Sequence, residues 1–153
     1  MEFYHGTDKK SAKNIKENGI ILRKSIRPLD FGSGFYTTDV YKQAESWAAR
    51  TEGEVVKFYL DNNNWKSLRK INLFINDKAW RDIVYSNRVL GVDIAKGYDI
   101  IYGPMIDGRY LQASIQEAKE GNISKAEFIA DNRKFGRQFV FKTEKSIKAL
   151  RRE

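Results

Sequence analysis

Histidine occurs once in this chain, at His5 in the stretch YHGT, among residues of types that can grip a flat ligand. His5 offers an imidazole, Gly6 a backbone that a planar group can approach closely, and Thr7 a hydroxyl. Further along, DFGSGFYTTD from Asp30 to Asp39 supplies two glycines that free the backbone and then an aromatic ring at Tyr36. Trp47 stands eleven residues after Tyr36, about two helical turns into the segment that follows. A ring at a strand end and a ring on the next helix can face each other across a slot. Such a slot accepts a flat cationic heterocycle, because an aromatic face attracts a cation by about 0.5–2 kcal/mol. The nicotinamide ring of NAD is a group of that kind.

Each of these residues also has an ordinary structural reading. Taken alone, His5 is a hydrogen-bonded structural histidine. Phe35 and Tyr36 are neighbours on an alternating strand, so one faces the core and the other the slot; Phe35 is assigned to the core. Trp47 can pack with Ala44 and Ala48 as plain core. DFGSG can be only a turn with Asp30 capping it. Asn87 and Arg88 close a helix, where a cap or a dipole interaction is the default and phosphate contact the lesser reading. Neither GxGxxG nor GxxxxGKS is present, so Rossmann and P-loop modes of nucleotide binding are not supported.

Those residues must be positioned by surrounding elements. EFYHG reads as a short strand, and DKKSAKNIKENG as a helix capped by Asp8, with Ala12 and Ile15 on one face and Gly19 closing it. Residues 20–34 read as irregular, followed by a short strand at GFYTT and a helix from Val40 to Arg50 capped by Asp39. EVVKFYLD and LRKINLFI alternate as strands, and DKAWRDIVYSNRVL is a helix with Ala79, Trp80, Ile83, Val84 and Asn87 inward. YDIIYGPM is an apolar strand ended by Gly103-Pro104. Two polar helices, Arg109 to Glu120 and Ser124 to Asn132, a strand at RQFVFKT and a short C-terminal helix complete the chain. Strands and helices mix without strict alternation, which argues for an α+β fold with a mixed or antiparallel split sheet and flanking helices.

Composition bounds the chemistry. The 153 residues are enough for one domain with a real core, and 41% hydrophobic residues supply it. The absence of cysteine excludes a thiolate nucleophile, a disulfide framework and a cysteine-bound zinc, and a single histidine excludes a histidine metal cluster. No metal is expected. The start MEFYHG has neither the basic nor the apolar region of a signal peptide, and no apolar run approaches the roughly 20 residues that span a bilayer. A cytoplasmic protein without a membrane partner is the expectation. The net charge of +8 attracts phosphates (nucleic acid, a dinucleotide or an acidic protein), or it is a solvated basic surface.

YHGT, a helix ending in NGI, GSGFYTTD, and Ala44 with Trp47 occur in that order over the first third of the chain. The set resembles the ADP-ribosyltransferases of the diphtheria-toxin and poly-ADP-ribose-polymerase type, which share a His-Tyr-Glu triad. The chain also resembles a bacterial, toxin-like group of domains of unknown function within that clan, where DFGxGFY, a WA pair, an NR pair, YDIIYGP and a late QFVF strand recur together. The resemblance implies a single ADP-ribosyltransferase-like catalytic domain over residues 1–153. Under it, His5 would hydrogen-bond the ribose next to nicotinamide, and Gly6 would hold the carboxamide through its backbone. Tyr36 and Trp47 would stack on the two faces of nicotinamide, Trp47 replacing the tyrosine usual there. Thr7 would reach the adenosine half, and Arg23 or Arg27 the diphosphate. Phe35 and Asp30 are counted with the NAD-binding residues.

The family's glutamate opens a late strand, before an aromatic and a β-branched residue. Here RQFVF places Gln138 at that position, so the implied catalytic set is His5, Tyr36 and Gln138. A glutamine keeps the hydrogen bond to ribose and loses the charge and the base. Single ADP-ribose transfer or NAD hydrolysis then fits better than chain elongation, with Asp107 and Glu144 as candidate bases. The implied function is an NAD-dependent mono-ADP-ribosyltransferase, an intracellular toxin of a toxin–antitoxin or phage-defence system. Its partners would be NAD, a macromolecular acceptor (DNA or RNA favoured over protein) and an antitoxin protein. The alternative is a catalytically inactive module of the same fold that binds NAD or nucleic acid.

Overall fold

Alternation sets the facing of the first strand, Glu2–Thr7 (β1), in the computed structural model, which describes residues 1–22, 29–75 and 77–153. Phe3 is fully buried, and the strand runs antiparallel to Glu54–Tyr59 (β3), with Phe3 opposite Phe58 and His5 opposite Val56. Between them come the helix Lys9–Asn18 (α1), the strand Phe35–Thr37 (β2) and the helix Tyr41–Ala49 (α2). Asp8 caps α1 by accepting from Ser11 N at 2.7 Å, and Gly19 closes it with φ 77°. After β3 follow Asn62–Ser67 (α3), Lys70–Asn72 (β4) and Lys78–Tyr85 (α4), whose end widens into a π-helical turn at Ser86–Leu90. The remainder is Ile100–Asp107 (β5), Leu111–Lys119 (α5), Lys125–Asp131 (α6), Arg133–Phe141 (β6), Glu144–Ala149 (α7) and Arg151–Arg152 (β7).

The strands form two sheets. One is antiparallel, in the order β1-β3-β7; the other is mixed, in the order β2-β6-β5-β4, its β4–β5 pair parallel. Among the described residues the sheets meet at one bridge, where Tyr4 N donates to Thr38 O at 2.8 Å and Thr38 N to Tyr4 O at 2.9 Å. Adjacent residues of the central strands feed separate cores. Val140 and Ile101 join a cluster with Phe31, Trp80, Val84 and Phe128 from one side. Phe139, Phe141 and Ile100 join Phe3, Phe35 and Phe58 on the other. The class is therefore α+β, with one mixed sheet, as the unordered mix of strands and helices suggested. Among the described residues no helix is long and apolar enough to cross a membrane.

Several local expectations differ from what the chain adopts. Val40, not Asp39, precedes α2, and the Asp39 carboxylate pairs with Arg137 of β6 instead. β5 does not stop at Gly103-Pro104: a register shift between Gly103 and Met105 absorbs the proline, which has no N–H for the ladder. Ala79 is exposed, while Trp80, Ile83 and Val84 face inward. Residues 62–67, to which the sequence reading assigns no element, form α3, with Asp61 accepting from Asn64 N at 2.7 Å. The chain end turns from α7 into a strand, Arg152 opposite Phe58. Arg23 and Arg27 lie outside the described residues.

Close approach explains Gly53, which leads into β3. A Cβ there would stand 1.8 Å from the Thr7 carbonyl oxygen, so a side chain would push β3 off the end of β1. Gly53→Ala is expected to destabilise the protein by about 1–3 kcal/mol, the usual cost of overpacking, read as a lower urea midpoint at unchanged slope.

Candidate functional site

The site grows from the place where β1 and β2 part. In an antiparallel pair, a residue that exchanges both backbone bonds with its partner is followed two positions on by another aimed at the same edge. Tyr4 exchanges both with Thr38, so Gly6 turns its N–H and C=O toward the edge where β2 would continue. There β2 has swung away to pair with β6, Tyr36 opposite Val140. His5 spans the wedge, its Nδ1–H donating to the Tyr36 carbonyl at 2.7 Å. That bond fixes the tautomer and leaves Nε2 as the acceptor of the neutral ring. Burial holds the His5 pKa below its ordinary value, against the Tyr36 carbonyl and the Asp8 charge, which pull it up.

A cavity of about 440 Å³ opens on the α2 side of this wedge. Gly6, Asp30, Tyr36, Trp47 and Gln138 all line it, so five of the residues singled out in the sequence converge there from separate elements. Gly6 is bare because α2 lies directly on it: a Cβ would stand 1.9 Å from the Ala44 carbonyl oxygen. The same helix carries Trp47 to the cavity, half-buried and in neither apolar cluster. Plain core packing with Ala44 and Ala48 is thus not its setting.

Tyr36 presents its ring with a locked phenol. The hydroxyl donates to the Gly32 carbonyl at 2.5 Å and accepts from Phe31 N at 3.1 Å. Burial, and then the nearby Asp30, push its pKa above the ordinary tyrosine value, so the phenol stays neutral and serves as a flat wall, not a proton carrier. Lys142 pins the same loop from beneath, with Nζ donating to Phe31 O at 2.6 Å, Ser33 O at 2.9 Å and Asp93 Oδ2 at 3.0 Å.

Asp30 stands behind the wall and not as a simple turn cap. It is 2% exposed; Oδ1 accepts from Arg88 Nε at 2.6 Å, and Oδ2 from Ile106 N at 2.8 Å and Gln138 Nε2 at 3.0 Å. Burial raises its pKa, opposed by the Arg88 charge and by the hydrogen bonds it accepts. Asn87 Nδ2 donates to its backbone carbonyl at 3.3 Å, so Asn87 and Arg88 both serve Asp30. Gln138, 5% exposed and opposite Gly103 in the β6–β5 ladder, reaches the cavity from this network.

His5, Thr7 and Phe35 lie elsewhere. Along β1 the side chains of Phe3, His5 and Thr7 point away from that of Tyr4 and from the face where a Gly6 Cβ would lie, and the His5 ring packs tilted on Phe35, centroids 4.4 Å apart. Phe35 borders a smaller recess with Ile20 and Ile21 beside α1. His5, Thr7 and Phe35 therefore occupy the opposite face of the sheet from the cavity. Of the candidate bases, Asp107 lines the cavity, whereas Glu144 sits in the first turn of α7 away from it. Arg50 at the cavity mouth and the inward Arg88 line it too, beyond the residues the sequence marks as NAD-binding. Arg50 follows Trp47 by three residues, a same-face helical spacing that could have flagged it.

An α+β fold with a cavity wedged between two sheets, walled by a tyrosine and a tryptophan and backed by a buried carboxylate, is what the geometry defines. Residues 1–152 match a family of proteins of unknown function, DUF3990, and the chain belongs to it. None of the curated proteins compared with the chain matches it.

The depressed His5 pKa has a checkable consequence. The fold favours the neutral ring, so this contribution to stability is complete above the unfolded value near 6.5 and is lost as pH falls through the lower folded value. The melting-temperature advantage of the natural chain over His5→Gln should be largest near about pH 7.5 and shrink toward about pH 5; a constant difference would contradict it.

Proposed function

We propose that the protein is an NAD-dependent mono-ADP-ribosyltransferase built on an ADP-ribosyltransferase-like split sheet. The observation that carries the reading is the convergence of Gly6, Tyr36, Trp47 and Gln138 on one cavity at the parting of two sheets. In this reading nicotinamide lies between the Tyr36 and Trp47 rings, its carboxamide on the Gly6 backbone groups. The ribose follows in the same cavity, beside Gln138 and Asp107, with Arg50 at the mouth to meet negative charge, while His5 and Thr7 stay on the far face and His5 holds the wedge through the Tyr36 carbonyl. The bond between ribose C1′ and the nicotinamide nitrogen breaks, and its electron pair leaves with nicotinamide, which departs neutral. The oxocarbenium-like ribose is then attacked at C1′ by an acceptor hydroxyl or amine, whose proton passes to a base. Gln138 contributes a hydrogen bond to the sugar, and Asp107 is the carboxylate on the cavity wall that can take the proton.

The +8 charge supports a nucleic-acid acceptor before a protein one, through phosphate attraction. An enzyme that modifies nucleic acid in the cell that makes it would act as a toxin, and an antitoxin protein is the partner that would restrain it. The alternative, a module that binds NAD without turning it over, draws on the amide at position 138.

Incubation with NAD labelled in its adenylate half separates these readings. The enzyme releases nicotinamide and leaves label on a macromolecule, identified by mass spectrometry of nucleic acid and protein. Tight binding without turnover gives the module, and neither binding nor release sinks both. Trp47→Ala should weaken NAD binding by about tenfold, as expected for a lost stacking face, and leave the melting temperature nearly unchanged, because Trp47 lies outside both cores.

A further inference from the structure

Gln138 is a primary amide whose two ends are opposite in character: the oxygen only accepts and the nitrogen only donates. Which end meets a ligand depends on what the protein does with the other. Nε2 lies 3.0 Å from Asp30 Oδ2. Turned over, the amide would set its oxygen against a carboxylate. Asp30 has no room to yield, since Oδ1 holds Arg88 Nε and Oδ2 also holds Ile106 N. Among the described residues no buried side-chain oxygen or nitrogen lacks a partner and none donates to the Gln138 oxygen, so that oxygen opens on the cavity that the residue lines.

We infer that Asp30 is a positioning residue that fixes Gln138 with its carbonyl oxygen toward the cavity, so that this corner takes a hydrogen-bond donor and refuses an acceptor, and that the buried charge of Asp30 is why position 138 holds an amide. A glutamate there would set a second carboxylate about 3 Å from the first, where the two cannot both ionise and must share a proton. The ribose hydroxyls of the proposed substrate are donors of the required kind, and only that clause rests on the proposed function.

The test needs no ligand. Among the described residues, the charged and titratable groups facing the pair are Arg88 on Asp30, Arg50 and Asp107 on the cavity wall, Tyr36, and Lys142 with Asp93 at the far side of the loop. All are common to the variants, so differences between variants report the pair. In Gln138→Glu the shared proton raises the folded pKa. Its stabilising effect is therefore present at low pH and lost as pH rises, and the melting temperature relative to the natural chain should fall between about pH 5 and about pH 8. In Asp30→Asn/Gln138→Glu the new carboxylate accepts from the Asn amide, and the pH slope should return to that of the natural chain. Folding of Gln138→Glu at about pH 5 but not at about pH 8 is the same result in stronger form. A Gln138→Glu profile parallel to the natural one, failure to fold at both pH values, or a double variant that keeps the slope overturns the inference. Where nicotinamide release is measured, Gln138→Glu should lose about tenfold or more in kcat near pH 8 and the double variant recover most of it, a rescue that mere structural damage would not show.

Discussion

Tyr4 and Thr38 join the two sheets by backbone hydrogen bonds, and the strands separate beyond them. A sheet continuous across that line would have spent the Gly6 N–H and C=O on the next rung. Because β2 leaves for β6, those groups are aimed at a gap instead. The gap is held open by α2, which rests on Gly6 so closely that no side chain fits. It is kept from closing or spreading by the His5 ring, tied to the Tyr36 carbonyl. Backbone polarity, helix packing and one imidazole thus act on a single seam.

Two buried ionic side chains then give the seam a rigid wall. Taking an isolated charge out of water costs several kcal/mol, recovered only when each charge is fully bonded. Asp30 and Lys142 both satisfy that condition, each with three partners. Between them they hold the loop from Asp30 to Ser33 that in turn holds the Tyr36 phenol. Removal of one partner leaves the other charge stranded in the interior. Asp30 also draws β5, β6 and the π-helical turn to one point, which places Gln138 and Arg88 together at the cavity although fifty residues of chain separate them.

Much of this was legible in the sequence where local rules dominate. Asp8 caps α1 and Gly19 ends it, and Phe35 and Tyr36 do face opposite sides, because a strand allows nothing else. The convergence of Gly6, Tyr36, Trp47 and Gln138 followed from an ordered set of motifs, not from any one of them. What failed to show was set by long-range partners. Asp39 looks like a cap but finds Arg137 nearly a hundred positions away. Asp30 looks like a turn residue, and its role needs Arg88, Ile106 and Gln138 to arrive from three other elements. The face of β1 occupied by His5 follows from alternation, but the face on which the cavity lies depends on where α2 packs. Arg152 became a strand residue only because the edge of β3 was open to it.

The widened turn at Ser86–Leu90 makes the length of this segment as significant as its composition. An α-helix advances about 100° per residue, so a helix one residue shorter here would keep the same side-chain types and still aim them elsewhere. Arg88 would rotate off Asp30, and Asn87 would lose the Asp30 carbonyl. Insertions and deletions in this stretch therefore act as a change of phase between α4 and the charge network: the guanidinium is either in step with the buried carboxylate or facing away from it.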